Sequence, residues 1–345
     1  MIHSDPLKIG DQTFAPGAKG EVNLPIGSQI DYQPITMNVH VRRGTREGPV
    51  LLLTAGIHGD ELVGVEVLRR LLKSRRLRSL RGTLIVVPVV CMPAFLARTR
   101  YLPDRRDLNR LFPGSRDGSL GGRLAATFSD EIVTKADYAI DFHTGAIGRP
   151  NLPQIRITPG DEKALELAKA FNPPVIMESQ QREGSLRSLF AKDNIPSLLY
   201  EAGEAYRLHP PAVRYGLRGV FSVMKHLKML PPSKSGKEPK TRTMVASATT
   251  WVRAPQGGIF TPLVELGKGV TPATKLGLVG DPFGRHETPV TSDLDGVVIG
   301  LSREATADEG DALFHIATFA ADAEKVEAQI QRCADILEEH TAPLE

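Results

Sequence analysis

The chain has 345 residues, 41% of them hydrophobic and 24% charged, with a formal net charge of +3. That balance belongs to a soluble globular protein longer than one ordinary domain and gives no reason to expect a nucleic-acid partner. Two cysteines, Cys91 and Cys333, make neither a disulfide framework nor a metal cluster; with no signal peptide and no run of about 18 apolar residues, a cytoplasmic protein without a membrane span is expected.

Residues 1–34 are rich in Gly, Pro and polar residues and read as short strands or turns draped on the domain. From Pro34 the alternation in ITMNVHVRR predicts a half-exposed strand, with Met37, Val39 and Val41 on one face and His40 on the other. The run from Pro49 to Ala55 is too short and too continuous for a surface helix and suits a strand buried on both faces. Gly56 ends it. The stretch LLLTAGIHGDE, Leu51 to Glu61, then presents His58 and Glu61 at the start of a helix predicted over 61–73, whose apolar residues recur at helical intervals. His-x-x-Glu lets an imidazole and a carboxylate meet on one side of a tight turn, a donor pair that suits zinc, although the same acid could simply favour a helix dipole. The basic run Arg69 to Arg81 reads as a solvated face.

A second continuous apolar run, Leu84 to Val90, completes a strand, helix, strand order that implies parallel pairing with helices on the faces. Met92 to Gly118 is irregular, charged and punctuated by prolines, the composition of a functional loop. A helix follows at about 119–134, and Asp137 to Phe142 reads as a strand that delivers His143 at its C-terminal end, before a long polar loop to a strand at Ile155. Helices over 161–171 and 184–193 flank PPVIME, Ser197 to Glu201 is a short buried strand ending in an acid, and a helix over 211–229 closes this part. Pro231 to Thr243 has linker composition. From Thr249 to Phe319 short apolar stretches alternate with Gly, as in a small all-β barrel or sandwich, and a charged helix is expected over 321–340.

Three buried strands thus end in polar side chains: His58 with Glu61, His143, and Glu201. In open α/β sheets the ligand crevice lies at the carboxyl ends of the strands, so these residues can converge. Taken singly, His143 could be a hydrogen-bonded core histidine and Glu201 a helix cap or an arginine partner. With His58, Glu61 and His143 as ligands, zinc keeps a fourth position for water, the arrangement of a catalytic site. A nearby carboxylate is then wanted to accept the water's proton, and Glu201 is the candidate. The arginine-rich loop offers a cation for the charge that develops on an attacked carbonyl.

GIHGDE, DLNR at 107–110, DFHTG at 141–145 and YEAGE at 200–204, in that order, make the chain resemble the succinylglutamate desuccinylase/aspartoacylase family, relatives of the zinc carboxypeptidases. The resemblance covers residues 50–205 and implies an α/β fold, a mixed, mostly parallel sheet flanked by helices, with a small C-terminal all-β barrel domain. It implies one zinc per chain held by His58, Glu61 and His143, a metal-bound water as nucleophile, and Glu201 as general base and acid in the hydrolysis of an N-acyl amino acid or related N-acyl amine. Asn109 and Arg110 would hold a substrate carboxylate, Arg in a two-pronged contact, and Asp107 would bond the free ring nitrogen of His58. The arginine that relatives place upstream of DLNR to polarise the carbonyl falls on Arg98 or Arg100. Arg149 and Asn151 would touch the acyl or amino-acid part.

The C-terminal segment is similar to biotinyl and lipoyl carrier-type barrels, but its expected hairpin reads SDLDGVV without a modifiable Lys. It therefore reads as a lid, a substrate-shaping unit or an oligomerisation unit that would build a homo-oligomer. The expected division is a catalytic domain over 1–230, a linker over 231–248, a barrel over 249–320 and a helix over 321–345. A metallocarboxypeptidase acting on short peptides is the alternative activity, and a non-catalytic binding protein keeping the fold is the alternative of another class.

Overall fold

The structure is a computed structural model that describes residues 6–232 and 243–339, the last four of them by backbone alone. Most of the expected linker and residues 340–345 lie outside the described residues.

A short hairpin, β1 (Leu7–Ile9) and β2 (Gln12–Phe14), precedes three long strands, β3 (Lys19–Ser28), β4 (Pro34–Arg43) and β5 (Arg46–Thr54). Then follow α1 (Val63–Lys73), β6 (Arg81–Val87), α2 (Met92–Ala97), α3 (Leu120–Glu131), β7 (Tyr138–Gly145), β8 (Asn151–Ile157), α4 (Glu162–Phe171), β9 (Val175–Glu178), α5 (Leu186–Lys192), β10 (Ser197–Glu204) and α6 (Pro210–His226). The main sheet path over these elements runs β8-β10-β7-β5-β6-β4-β3. The strands β6, β5, β7 and β10 pair in parallel, and the sequence dictates it: near-continuous Val, Ile and Leu runs must bury both faces. Leu51 and Leu53 pack into one core with α1, α4 and α6, while Val50 and Leu52 pack into the opposite core with α3 and α5.

Several expectations change. The sheet is mixed, but β3, β4 and β8 pair antiparallel with their neighbours, so parallel pairing is confined to the centre and the short β9 branch. Within residues 1–34, Lys19–Ser28 is a ten-residue strand; its alternation of buried Val22, Leu24 and Ile26 with exposed neighbours was masked by Gly and Pro. The loop expected from Met92 begins with a short helix, which Pro93 opens from its first turn. β7 continues past His143 to Gly145. α1 starts at Val63, leaving Glu61 in the turn before it.

The C-terminal part contains β11 (Met244–Val245), β12 (Ala248–Arg253), β13 (Gly258–Pro262), β14 (Gly269–Val270), β15 (Lys275–Gly280), β16 (Glu287–Thr291), β17 (Gly296–Leu301), β18 (Thr306–Ala307), β19 (Ala312–Thr318) and α7 (Ala323–Glu339). It is all-β before α7, as expected, and divides between two sheets. One has the order β16-β15-β13-β18; the other, β12-β19-β17, extends the main sheet through the pair Gly300 and Asn151. Phe260, Leu276, Val279, Val298 and Phe314 share one core between them. Cys333 of α7 is buried in the core formed by α1, α4 and α6. No helix among the described residues is long and apolar enough to cross a membrane.

Candidate active site

The turn after β5 is shaped by its glycines. Gly56 has φ +62° and lies against the Val89 backbone, a conformation that a Cβ would strain. At Gly59 a Cβ would stand 2.0 Å from the backbone carbonyl of Ala94 in α2. The chain can therefore close tightly enough to set His58 and Glu61 side by side, with His58 Nδ1 2.6 Å from Glu61 Oε1. Across the sheet, His143 in β7 places its Nδ1 2.9 Å from Glu61 Oε2. Ligand-type atoms of His58, Glu61 and His143 all lie within 4.8 Å of one another, and the three residues are buried.

Each imidazole is held from behind by an aspartate. His58 Nε2 meets Asp107 Oδ1 at 3.1 Å, and His143 Nε2 meets Asp141 Oδ2 at 2.9 Å. Thr54 Oγ1 donates to Asp141 Oδ1 at 2.7 Å, and the Thr144 amide donates to Glu61 Oε2 at 3.0 Å. Burial opposes charge on Glu61, yet the two imidazoles outweigh it and hold its carboxyl well below the usual range. Burial likewise opposes charge on both histidines, but Glu61 with Asp107 raises the pKa of His58, and Asp141 with Glu61 raises that of His143 well above its ordinary value. A buried pocket that concentrates this much negative potential selects for positive charge. Two imidazole nitrogens and a carboxylate turned toward one point are a donor set that fits zinc, which would take the place of the protons.

Glu201 in β10 lies opposite His143 in the parallel ladder, which is why two residues far apart in sequence share a site. Its Oε2 is paired with Arg156 Nη2 at 2.5 Å. Both line a cavity of about 520 Å³ that also contains the His58, Glu61 and His143 cluster. Arg100 enters it from the loop after α2, with Nη2 3.1 Å from Asp107 Oδ2 and Nη1 3.4 Å from Glu61 Oε1. Arg98 does not: it caps α2 with φ +54° and its side chain is exposed, away from the cavity lining. Of the two expected alternatives, only Arg100 is brought to the cluster.

Asn109, Arg110, Arg149 and Asn151 all line the cavity. Asn109 accepts the Leu186 amide through Oδ1 at 2.8 Å and so is fixed by the start of α5. Asn151, expected in a loop, opens β8 and is buried. Sequence reasoning missed Asp141, Arg156, Arg182, Arg187 and Trp251. Asp141 carried a usable signal, because residues two apart in a strand share a face and DFH places an acid beside a histidine. The arginines carried none, since Arg156 reaches Glu201 only through the β8 and β10 register. Burial, with Arg156 and Arg182 nearby and Glu201 opposing, lowers Arg187 to about 10.

A sequence model described as the succinylglutamate desuccinylase/aspartoacylase catalytic domain matches residues 47–227. The N-alpha-acetyl-L-2,4-diaminobutyric acid deacetylase of Halomonas elongata is 29% identical over 295 residues, covering 82% of this chain and 85% of the relative. A solved succinylglutamate desuccinylase/aspartoacylase from Rhodobacter sphaeroides superposes with a TM-score of 0.78 at 27% identity, covering 88% of this chain and 95% of its own. The product-bound ectoine utilization protein EutE (DoeB) from Ruegeria pomeroyi gives a TM-score of 0.79 at 25% identity, covering 92% of this chain and 98% of its own.

Proposed function

Because the chain belongs to the succinylglutamate desuccinylase/aspartoacylase family, we propose that it is a cytoplasmic zinc-dependent deacylase that hydrolyses the linear amide of a small N-acyl amino acid or related N-acyl amine. The observation that carries this reading is the convergence of His58, Glu61 and His143, each histidine backed by an aspartate, beside Glu201. Zinc, held by the three residues, would supply Lewis-acid polarisation of a carbonyl and activation of water.

The remaining steps belong to the chain's own side chains. Asp107 and Asp141 hold protons on the outer nitrogens of His58 and His143, which leaves the Nδ1 atoms free to bind. Glu201, oriented by Arg156, takes the proton of the attacking water and returns it to the leaving amine. Arg100 donates to the carbonyl oxygen as negative charge develops there. Asn109 and Arg110 hold the substrate carboxylate, and Arg149 and Asn151 touch the acyl or amino-acid part. On this reading residues 1–230 form the catalytic unit, 231–248 a linker, 249–320 a barrel-type unit that closes the cavity, and 321–345 a terminal helix.

The test is a panel of N-acetyl and N-succinyl amino acids, N-acyl diamines and dipeptides, offered to zinc-reconstituted protein. Release of free amine from acylated substrates, with about one zinc per chain as a single ligand cluster allows, is expected, and dipeptides should remain intact. Glu201→Gln should lower kcat by about 10²–10⁴-fold while the zinc content is retained. Unchanged turnover in that variant, or no stoichiometric zinc, would sink the mechanism.

A further inference from the structure

One wall of the cavity comes from the C-terminal strands. Trp251, the chain's single tryptophan, lies in β12 and lines the cavity. Its ring is stacked flat on His315, with centroids 4.6 Å apart and planes 5° from parallel. His315 is buried and kept uncharged near neutral pH, because desolvation and the Arg156 charge lower its pKa to about 3. His315 in turn stands over Gly300, where a Cβ would lie 3.3 Å from the His315 Cβ and 2.7 Å from Asn151 Oδ1. Glycine at 300 thus lets Asn151, His315 and Trp251 form one packed row running from the site to the cavity wall.

The rest of the cavity lining is dominated by arginines and polar groups; Leu199 and Trp251 are its large apolar side chains. An indole clamped on a neutral imidazole offers a rigid apolar face. An alkyl segment gains by leaving water against such a face, whereas a carboxylate gains nothing from the ring's negative quadrupole and an ammonium would be repelled by a lining with six arginines against Glu61 and Glu201. We propose that Trp251 is a specificity-determining residue that favours substrates placing an uncharged alkyl chain against its ring, with His315 as the residue that positions it. The chain could belong to the acyl group or to the amine. This inference rests on the deacylase reading above.

The experiment compares N-hexanoylglycine with N-acetylglycine for the acyl arm and N-acetylnorleucine with N-acetylglycine for the amine arm. In one arm the wild-type enzyme should prefer the longer substrate in kcat/KM, and Trp251→Ala should shrink that preference by about tenfold or more, chiefly through KM. Trp251→Phe should preserve most of it, and His315→Ala should shrink it less than Trp251→Ala. Independently of turnover, the emission of the single tryptophan is followed in the Glu201→Gln protein, where the longer ligand of that arm should shift it and N-acetylglycine should not. A preference in neither arm, or one unaltered in Trp251→Ala, overturns the role of Trp251. If the wild-type enzyme cleaves nothing on the panel, the deacylase reading fails instead, and the emission titration alone decides: a shift with a longer ligand supports the wall, and none overturns it.

Discussion

Asp141 bonds His143 Nε2 while Thr54 holds its other oxygen, so the imbalance created by removing its charge falls on His143 Nδ1, a nitrogen proposed to bind zinc. Asp141→Asn should weaken zinc binding by about 10–100-fold in competition with a chelator, at little change in secondary structure. An unaltered affinity would mean that the aspartate only fills space. At this scale His58, Glu61, His143 and Glu201 were legible because each follows a buried apolar run whose direction predicts convergence, although β7 and β10 continue past His143 and Glu201. Arg98 and Arg100 were indistinguishable, since sequence proximity does not reveal that a left-handed cap at Arg98 turns one side chain outward and the next arginine inward. Arg156 was invisible because its link to Glu201 depends on register between strands that only the folded sheet fixes.

The turn between β5 and α1 works as a unit, pressed against α2 at Gly59. The Gly59 amide also donates to Thr99 O at 2.9 Å, which ties the turn to the chain leading into Arg100. Gly59→Ala should therefore destabilise the protein by about 1–3 kcal/mol in urea unfolding and weaken zinc binding as well, because overpacking here displaces His58. Full zinc affinity in a destabilised variant would separate the turn's packing role from its role in the site. Elements with continuous or alternating apolar runs were readable, and β4, β5, β6 and α6 appear close to where the pattern put them. The β7 extension was not, because Thr144 and Gly145 look like loop residues until Glu61 and β10 supply their partners.

For the molecule as a whole, the change in sequence pattern after residue 243 was visible, but its continuity with the main sheet was not. That continuity runs through the pair Gly300 and Asn151 and through the two-residue β11 beside β9, contacts with no distinctive periodicity in the sequence. His315 lies at this junction, and its pKa is lowered from 6.5 to about 3 by burial and the nearby Arg156 charge. Between those values the unfolded chain binds the proton and the folded one does not, so stability rises with pH across the window. The contribution is fully present above the unfolded value and is lost as pH falls toward 3, with a slope of at most about 1.4 kcal/mol per pH unit. His315→Phe, which keeps a ring against Trp251, should flatten this part of the stability profile relative to wild type when metal-free proteins are unfolded in denaturant at a series of pH values. Parallel profiles would show that the histidine does not control it.

The placement of Trp251 also bears on how the protein comes into being. Among the described residues, β12 pairs only with β19, so the strand carrying the cavity wall has no partner until residues 312–318 have left the ribosome. Everything proposed to hold the zinc lies before residue 202 and is synthesised well ahead of that wall, whereas the core of α1, α4 and α6 is completed by Cys333 of α7, made later still. The proposed ligands are thus synthesised well before the wall proposed to select the substrate, and that wall takes its place only once β19 can pair with β12.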